Sequence, residues 1–468
     1  MNRAAEALRD KVVFITGATG FLGQPLVEKI LWLAPDVKRI YILIRPKRKP
    51  DGRVIKAQER LERELLDSSV FDRLYRAHGP KTRSFLEEKL VVVSGDILRE
   101  RLGLGMDTHD RLCKEIDIVI HSAAVVSFDA PLDTALEGNS LSAARITEFT
   151  NSCKNALLVH VSTAYVAGAT NQNAPENIHH LATGQELNEA YPLRKFSDVD
   201  QEIELLKTKI TKLKTEAAEP ALRERLLKRA QRSGRKGSRE ENPENLQTRW
   251  LQERLTAEGM RWAQKRGWND TYTYTKAIGE QMVVRGRNSA PTVIIRPSVI
   301  ESSITEPTPG WLDGLRMADP LIVAIGKGRL RALPLDASVA LDLIPVDMVV
   351  NALLAAIPVA LEQGGLQVYQ VATGDTNPVT LGELHDLVYG FFQKNPMIDK
   401  QGNPIQIKPL KFHNPTTFRI QHHLRRAPLR AAELVLAKLP PINSINKLKR
   451  KVAAIRTAYD RLYYYGQI

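Results

Sequence analysis

The stretch VVFITGATGFLG, residues 12–23, decides the fold. Its first five residues form a continuous apolar run ending in threonine, which is typical of a strand that is buried on both faces. In the glycine-rich turn that follows, Gly17 permits a tight turn and Gly20 lets a pyrophosphate approach the backbone. Gly23 allows a helix to pack closely on the strand. Strand, turn and following helix predict a dinucleotide-binding unit at the start of the chain, with an incidental glycine turn as the alternative.

Five further apolar runs extend this unit into a sheet. They are residues 39–44, 90–93, 116–120, 157–161 and, much later, 292–295. The runs are rich in valine, isoleucine and leucine, and the segments between them are long enough for crossover helices. We therefore expect an α/β fold, a doubly wound parallel sheet of the Rossmann type with helices on both faces.

Two segments depart from this alternation. Residues 186–267 are densely charged and contain SGRKGS at 233–238, so we expect a helical insertion with a flexible tip. Residues 376–468 have a helical pattern and include a basic amphipathic run at 445–462. The predicted division is a dinucleotide-binding domain with its substrate-binding parts over 1–375, and a helical C-terminal region over 376–468.

The chain of 468 residues carries a formal net charge of +14, which is concentrated in two regions. Residues 207–239 and 419–468 each carry a net charge of +9, so the remainder is mildly acidic. Such regions are either solvated faces or surfaces for an anionic partner such as phosphates, a lipid surface or nucleic acid. With 26% charged and 43% hydrophobic residues, the composition excludes a mostly disordered chain.

Other features set expectations about metals and membranes. Cys113 and Cys153 are too few for a disulfide framework or a four-thiolate zinc site, and the ten histidines suggest no ligand cluster, so we expect no metal. No stretch approaches 18 uninterrupted apolar residues, and the polar N-terminus lacks the apolar core of a secretion signal. We expect a cytoplasmic protein, with peripheral contact to a membrane or lipid surface through the basic segments as an option.

The end of the second strand bears on the choice of dinucleotide. NAD-binding proteins tend to place an acid there for the ribose hydroxyls, whereas arginine accommodates the 2′-phosphate of NADP. Here the strand is followed by Arg45, Lys47 and Arg48, and Asp51 comes too late to serve. The pattern favours NADPH. A solvated basic strand end is the alternative.

Residues at the ends of the third and fourth strands are predicted to line the same site. Asp96 and Ile97 follow the third strand, where a carboxylate can bind the adenine amino group. Ala123 follows the fourth strand, at a point where backbone must pass the cofactor. His121, at the same strand end, is predicted to be a packing histidine rather than a catalyst.

Tyr272 and Lys276 form a Y-x-x-x-K pattern, and residues four apart lie on one face of a helix. A phenol with a pKa near 10 is a poor acid–base catalyst at neutral pH. A lysine ammonium beside it stabilises the phenolate and brings proton transfer into range. Tyr274 lies off that face and is the weaker candidate.

The glycine-rich turn and this pair together resemble the extended short-chain dehydrogenase/reductase superfamily. The resemblance implies a hydroxyl after the fifth strand, for which Thr163 is favoured and Ser162 comes next. It also implies that Pro297 and Ser298 lie beside the nicotinamide. The predicted cofactor contacts are Gly17, Thr19, Gly20, Phe21, Leu22, Gly23, Arg45, Asp96, Ile97, Ala123, Tyr272, Lys276, Pro297 and Ser298.

Five stretches resemble the fatty acyl-CoA reductases more specifically. They are VSTAYV (161–166), YTYTKAIGE (272–280), RPSVIES (296–302), EPTPGWL (306–312) and LIPVDMVVN (343–351). The segment from Phe412 onward is similar to the male-sterility-type C-terminal region of that family. The likeness covers nearly the whole chain apart from parts of the insertion, and Pro309-Gly310-Trp311 is its most specific element. It implies reduction of long-chain fatty acyl-CoA by NADPH to a fatty alcohol, through an aldehyde and with release of CoA.

In such a reaction Tyr272 donates the proton, Lys276 lowers its pKa and holds the nicotinamide ribose, and Thr163 polarises the carbonyl. No covalent enzyme thioester is required, which suits a chain without an evident cysteine nucleophile. No nucleic-acid partner is expected for this enzyme. The acyl chain length, the released product, the oligomeric state and whether the chain is a module of a longer protein stay open.

Three alternatives are carried forward. The first is an aldehyde-forming reductase module that acts on acyl-carrier substrates. A sugar-nucleotide enzyme of the superfamily is weaker, because Thr163 and Tyr272 lie 109 positions apart, a far longer gap than such enzymes normally have. A non-catalytic lipid- or nucleic-acid-binding protein on a dinucleotide-binding scaffold is the alternative from a different class.

Overall fold

The computed structural model describes residues 2–49, 51–168, 176, 198–232, 242–315, 318–330, 332–333, 335–412, 436 and 448. The predicted loop tip at 233–238, and the run at 445–462 except for Leu448, lie outside them. The chain contacts divide into a first unit of residues 1–204, 258–314 and 343–373 and a second unit of residues 205–257, 315–342 and 374–468. This differs from the boundary placed near residue 375, because 205–257 and 315–342 group with the C-terminal residues.

The first unit is built on a sheet of seven strands. They are β1 (Val12–Thr16), β2 (Arg39–Ile44), β3 (Leu90–Ser94), β4 (Ile118–His121), β5 (Leu157–Val161), β6 (Thr292–Pro297) and β7 (Leu366–Val371). Their order is β3-β2-β1-β4-β5-β6-β7, and all neighbours are parallel. The order reverses between β1 and β4, which confirms the doubly wound fold and locates the binding crevice at the carboxyl ends of these strands.

Three strands have bounds other than those predicted, and one strand was not predicted. β3 ends at Ser94 rather than at 93, β4 spans Ile118–His121 rather than 116–120, and β6 ends at Pro297 rather than at 295. β4 begins at Ile118 because the Asp117 carboxylate accepts a hydrogen bond from the Val12 backbone amide (2.8 Å) at the start of β1. β7 was not predicted from the sequence. Its residues LQVYQV mix polar and apolar side chains, as expected for an edge strand that is only half buried.

The helices of the described chain are as follows. They are α1 (Arg3–Leu8), α2 (Gly23–Leu33), α3 (Ala57–Leu61), α4 (Asp72–His78), α5 (Lys81–Lys89), α6 (Met106–Glu115), α7 (Leu132–Ala135), α8 (Ser142–Ser152), α9 (Val199–Ala218), α10 (Pro220–Arg232), α11 (Pro243–Arg266), α12 (Thr271–Gly286), α13 (Asp319–Gly326), α14 (Val346–Gln363) and α15 (Leu381–Lys394). Two π-helical turns (Glu62–Leu66 and Leu136–Leu141) and three 3₁₀ turns (Ser69–Phe71, Glu100–Gly103 and Ala164–Ala167) complete the helical segments.

Both faces of the sheet are covered. Alternate residues of β1 and β2 point to opposite sides, so that Val13 and Ile40 join a cluster with α1, α2 and α14. Phe14 and Tyr41 join a second cluster with α6, α8 and α12. The strands are apolar nearly throughout because each of their faces lies under helices.

Helix α14 is the one helix of the described chain that is long and apolar enough to span a membrane by length and composition. Val349, Leu353 and Ile357 are buried in the cluster that α14 shares with the sheet. The helix is therefore part of the core of the first unit.

The second unit has a small core of its own, formed by Ile325, Leu330, Leu333 and Leu410. Two short strand pairs belong to it, Ala332–Leu333 with Lys411–Phe412 and Ala340–Leu341 with Val379–Thr380. The first unit has similar pairs, Lys47–Arg48 with Val54–Ile55 and Val299–Glu301 with Leu343–Pro345.

Within the first unit, Glu202 joins the start of α9 to the end of α11 and to α12. Its buried carboxylate accepts hydrogen bonds from the Trp262 indole (2.8 Å), the Arg266 guanidinium (2.9 Å) and the Tyr274 hydroxyl. The phenol of Tyr274 is thus occupied by a structural contact, which agrees with its lower rank as a proton donor.

Glu202→Gln should lower the free energy of unfolding by about 3 kcal/mol, because it leaves the Arg266 guanidinium without its charged partner at a buried site. Glu362→Gln is the matched control, since Glu362 pairs with Arg3 on the exposed surface and the change should have little effect on the free energy of unfolding. Urea unfolding measures both. If Glu202→Gln lowered the free energy of unfolding no more than Glu362→Gln does, the Glu202 contacts would not stabilise the fold.

Candidate active site

The glycine-rich turn is closed by contacts that only glycine permits. Gly17 has φ +79°, and a Cβ added to it would lie 2.6 Å from the Ala123 amide nitrogen. A Cβ on Gly23 would lie 2.1 Å from the Gly17 carbonyl oxygen. The turn after β1 therefore lies directly against the end of β4, at the point where the strand order reverses.

The residues at this turn fit a dinucleotide. Helix α2 begins at Gly23, and Leu22 before it makes no side-chain capping bond. The Gln24 amide donates to the Gly20 carbonyl (3.0 Å) and Pro25 has no N–H, so a phosphate oxygen would meet the start of the helix at the Gly23 amide. The Ser298 hydroxyl, beyond the end of β6, is buried and has no hydrogen-bond partner among the described residues. A bound ligand would supply the partner that this buried hydroxyl needs.

At the end of β2, the Arg45 guanidinium is largely exposed, with 59% of its side chain accessible. It lies 3.7 Å from the Asp96 carboxylate, which also accepts a hydrogen bond from the Leu98 amide (3.0 Å). Ile97 packs against the core on this side of the sheet. The structure therefore brings Arg45 and Asp96 together at one end of the crevice.

Helix α12 places the predicted proton donor in its first turn. Asp270 caps the helix by accepting a hydrogen bond from the Thr273 amide (2.8 Å). Burial and the negative charge of Asp270 raise the pKa of Tyr272, and a hydrogen bond with the Thr163 hydroxyl lowers it. The structure thus brings Thr163 and Tyr272 together, and the Phe128 ring packs nearly perpendicular to the phenol ring (6.0 Å between centroids).

Lys276 is buried one turn later in α12. Its ammonium donates a hydrogen bond to the Val161 carbonyl (2.6 Å), the last residue of β5. Burial lowers the pKa of Lys276 to about 8, and the Glu280 carboxylate opposes this shift. That Lys276 lowers the pKa of Tyr272 stays a prediction.

The carboxylate of Glu280 lies at the centre of a buried network. It forms an ion pair with Arg296 of β6, in which the Arg296 Nε lies 3.1 Å from each oxygen, and it accepts a hydrogen bond from the Ser162 hydroxyl (2.6 Å). Ser162, the second choice for the carbonyl contact, is therefore occupied in this network. Thr163 holds its oxygen beside Tyr272.

His121 is a buried packing residue. Its Nδ1 lies 2.7 Å from the Thr16 hydroxyl, and that hydroxyl accepts a hydrogen bond from the Ala123 amide (3.3 Å). Burial, and then the positive charge of Lys276, lower the pKa of His121 to about 3. The imidazole is neutral at physiological pH, which agrees with the packing role predicted for it.

Comparisons with known proteins add to this geometry. A family model described as "Male sterility protein" matches residues 15–353. The chain is 35% identical over 477 residues to "Fatty acyl-CoA reductase 2, chloroplastic" of Arabidopsis thaliana, with 98% of this chain and 71% of that protein covered. It is 32% identical over 440 residues to "Alcohol-forming fatty acyl-CoA reductase" of Simmondsia chinensis, with 93% and 81% covered.

The chain belongs to the fatty acyl-CoA reductase family. The resemblance seen in the sequence is thereby confirmed. Two solved structures support the fold. They are the terminal R domain from the myxalamid PKS-NRPS pathway (TM-score 0.52, 20% identity, 93% of this chain and 80% of that chain) and a non-ribosomal peptide synthetase reductase domain from Mycobacterium tuberculosis (TM-score 0.52, 19% identity, 96% and 82%).

The segment most specific to the fatty acyl-CoA reductases lies against the glycine-rich turn. The Trp311 indole stacks on the Phe21 ring, with centroids 5.6 Å apart and planes within 6°. Two residues later, Asp313 accepts a hydrogen bond from Gln24 of α2 (2.8 Å). The Asp347 carboxylate holds the same segment by accepting bonds from the amides of residues 304–306.

Sequence reasoning missed Asn139, which lies in the π-helical turn before α8. Its side chain accepts a hydrogen bond from the Val125 amide (2.8 Å) and donates one to the Thr275 hydroxyl of α12 (3.0 Å). A Cβ on Gly279 would lie 2.2 Å from the Asn139 carbonyl oxygen, so the two helices meet here at backbone distance. The one available signal was the glycine within the helical pattern of α12.

Among the residues that the structure describes, no group of three or more histidine, cysteine or acidic side chains has the arrangement of a metal site. Cys113 and Cys153 are both buried, and burial raises the pKa of each thiol. A raised pKa keeps a thiol protonated and a poor nucleophile.

The buried Asp270 should make the free energy of unfolding depend on pH over a defined pH range. Burial raises its pKa from 3.8 to about 6, so between these values the folded protein holds a proton that the unfolded chain has released. The stabilisation that protonated Asp270 contributes is fully present below pH 4 and is lost as the pH rises through 6. Asp270→Asn keeps a neutral cap, so relative to the unchanged protein it should gain about 3 kcal/mol across this window.

Chemical unfolding at several values between pH 4 and 7 measures this difference. Asp336→Asn is the control, because hydrogen bonds from Ser338 lower the pKa of the exposed Asp336. Its effect should therefore be constant above pH 4.5 or so. If the effect of Asp270→Asn on stability did not change with pH, it would contradict a raised pKa for Asp270.

Proposed function

We propose that this protein uses NADPH to reduce the thioester of a long-chain fatty acyl-CoA to the primary alcohol, through the aldehyde and with release of CoA. The observation that carries the proposal is the contact of the Thr163 and Tyr272 hydroxyls, beside the end of β5, in a chain of this family. The alcohol as product draws support from the name of the Simmondsia chinensis relative.

The protein binds a nicotinamide dinucleotide. The glycine-rich turn and the start of α2 would hold its pyrophosphate, and Ser298 would lie beside its nicotinamide end. The use of NADPH rather than NADH is our proposal, supported by Arg45 and Lys47, which follow β2 where arginine accommodates a 2′-phosphate.

When bound, the dinucleotide would supply the hydride for both reductions, that of the thioester carbonyl and that of the aldehyde. The Thr163 and Tyr272 hydroxyls donate hydrogen bonds to the carbonyl oxygen and stabilise the negative charge that develops on it. Tyr272 then transfers its proton to that oxygen. Its raised pKa keeps the phenol protonated at neutral pH, so the proton is available when the substrate binds.

The first reduction yields a hemithioacetal, in which a hydride has been added to the carbonyl carbon of the thioester and a proton to its oxygen. This compound releases CoA as its thiol and leaves the aldehyde, which the same groups reduce in the second step. Two hydrides and two protons are thus consumed for each alcohol. Because the pKa of Lys276 is about 8, its ammonium is mostly charged at neutral pH and favours the phenolate that Tyr272 leaves behind.

NADPH consumption with palmitoyl-CoA, followed by extraction and identification of the products, tests the proposal. Two NADPH per acyl-CoA and a fatty alcohol are expected, with much slower oxidation of NADH. One NADPH per acyl-CoA and a released aldehyde would contradict the alcohol as product. If the protein reduced an acyl group attached to a carrier protein but not acyl-CoA, the result would contradict the proposed substrate.

Tyr272→Phe should lower turnover by about a thousandfold, because the reaction loses its proton donor while the ring and its packing remain. NADPH affinity should change by less than about threefold, because the phenyl ring is retained. Tyr274→Phe is the matched control: its phenol bonds to Glu202, so it should lose stability but keep its turnover per folded molecule. Substantial turnover of Tyr272→Phe would remove this residue from the mechanism.

From the sequence we also propose a cytoplasmic location with peripheral contact to a lipid surface through basic segments. Of these segments, residues 419–468 lie almost entirely outside the part of the chain that the structure describes.

A further inference from the structure

A second arginine lies next to the basic residues that follow β2. Arg60 of α3 forms a bidentate ion pair with Glu64, through its Nε (2.9 Å) and one terminal nitrogen (2.6 Å). Its other terminal nitrogen donates a hydrogen bond to the Arg45 carbonyl (2.6 Å). One guanidinium therefore joins a carboxylate to the backbone at the point where the chain leaves β2.

The carboxylate of Glu64 connects this point to the glycine-rich turn. It accepts a hydrogen bond from the Thr19 hydroxyl, and the ammonium of Lys47 lies close enough to act on its charge. The contact with Arg60 is the largest cause that lowers the pKa of Glu64, which keeps the carboxylate ionised. Glu64 thus lies between the turn after β1 and the residues after β2, where the adenosine ribose of a dinucleotide binds in this fold.

An ionised acid at this place would normally favour NAD, because it accepts hydrogen bonds from both ribose hydroxyls and repels a 2′-phosphate. In this chain the acid does not come from the end of β2. It comes from the π-helical turn that follows α3, together with an arginine four residues before it. The charge of Glu64 is thereby neutralised at the side of the crevice where Arg45 lies.

We propose that the Arg60–Glu64 ion pair determines the preference for a 2′-phosphorylated dinucleotide, and this inference rests on the proposed use of NADPH. Arg60 is a positioning residue. It neutralises the Glu64 carboxylate and holds the backbone of Arg45, so that Arg45 and Lys47 form an electropositive site for the 2′-phosphate.

Loss of Arg60 and loss of Glu64 should have different effects on the affinity for the 2′-phosphate. Without Arg60, a bare carboxylate faces the ribose and repels the 2′-phosphate, so preference shifts toward the unphosphorylated dinucleotide. Without Glu64, the site becomes more positive and binds the phosphate at least as well. Loss of both removes the repulsion, so most of the preference returns.

The test is equilibrium binding of 2′,5′-ADP and of 5′-ADP, measured by calorimetry without substrate. The variants are Arg60→Met, Glu64→Gln and the double variant. Arg63→Met is the matched control, because Arg63 forms an i,i+4 pair with Glu59 in the same helical segment and, within the part of the chain that the structure describes, has no ion pair or hydrogen bond to either strand end. Thermal unfolding of each protein shows whether it is folded.

We expect the unchanged protein and Arg63→Met to bind 2′,5′-ADP at least about tenfold more tightly than 5′-ADP. In Arg60→Met this ratio should fall about tenfold, and Glu64→Gln introduced into that variant should restore most of it. Glu64→Gln alone should bind 2′,5′-ADP as tightly or more tightly, which keeps the inference testable if Arg60→Met does not fold.

An unchanged ratio in Arg60→Met, equal weakening of both ligands, or failure of the double variant to recover would overturn the inference. Weaker binding of 2′,5′-ADP to Glu64→Gln would do the same. Failure of the NADPH proposal is visible separately, since the unchanged protein would then bind the two ligands equally or prefer 5′-ADP.

Discussion

The buried ion pair between Glu280 and Arg296 is the interaction on which the active site depends. Both side chains are more than nine-tenths buried, so their charges have lost most of their hydration. Such a pair is tolerated only when its remaining hydrogen-bonding capacity is satisfied, and the Ser162 hydroxyl satisfies a further lone pair of the carboxylate. Three elements meet at one carboxylate: α12, β6 and the residue that follows β5.

This meeting point aligns the reacting groups. Tyr272 and Lys276 precede Glu280 on α12 by two turns and one turn, and Thr163 follows Ser162 directly. Lys276 adds a second attachment through the Val161 carbonyl, and Asn139 with Gly279 adds a third through the backbone of the π-helical turn. Helix α12 is therefore held on several sides, and hydroxyls held in this way can stabilise a developing oxyanion without reorganising.

The sequence predicted most of the fold because its determinants are local. Buried parallel strands are continuous apolar runs, and the glycine spacing at 17–23 between a strand and a helix is typical of a dinucleotide-binding turn, so six of the seven strands and the doubly wound sheet could be recognised. The half-buried edge strand β7 has no such pattern. The division into two units depends on contacts between segments far apart in the chain, and no local signal predicts it.

The candidate site was predictable to the extent that motifs place residues on known strand ends. Thr163, Tyr272 and Lys276 could be named because each lies at a fixed place relative to a strand or a helical face. Glu280 and Arg296 belong to stretches that resemble the family, yet nothing in either stretch indicates that the two pair with each other. The position of Asn139 depends on tertiary approach, which no local pattern in a single sequence encodes. Arg60 and Glu64 are a local i,i+4 pair, but their contacts with Arg45 and Thr19 depend on tertiary approach in the same way.

The most direct test of this account replaces the ion pair and measures turnover together with stability. Glu280→Met and Arg296→Met should each lower the free energy of unfolding by about 3–5 kcal/mol, whereas the double replacement should recover much of that loss. Turnover of the folded double variant should nevertheless stay about a hundredfold below that of the unchanged protein, because α12 and Thr163 lose their common attachment. A double variant with unchanged stability and unchanged turnover would show that this ion pair does not assemble the active site.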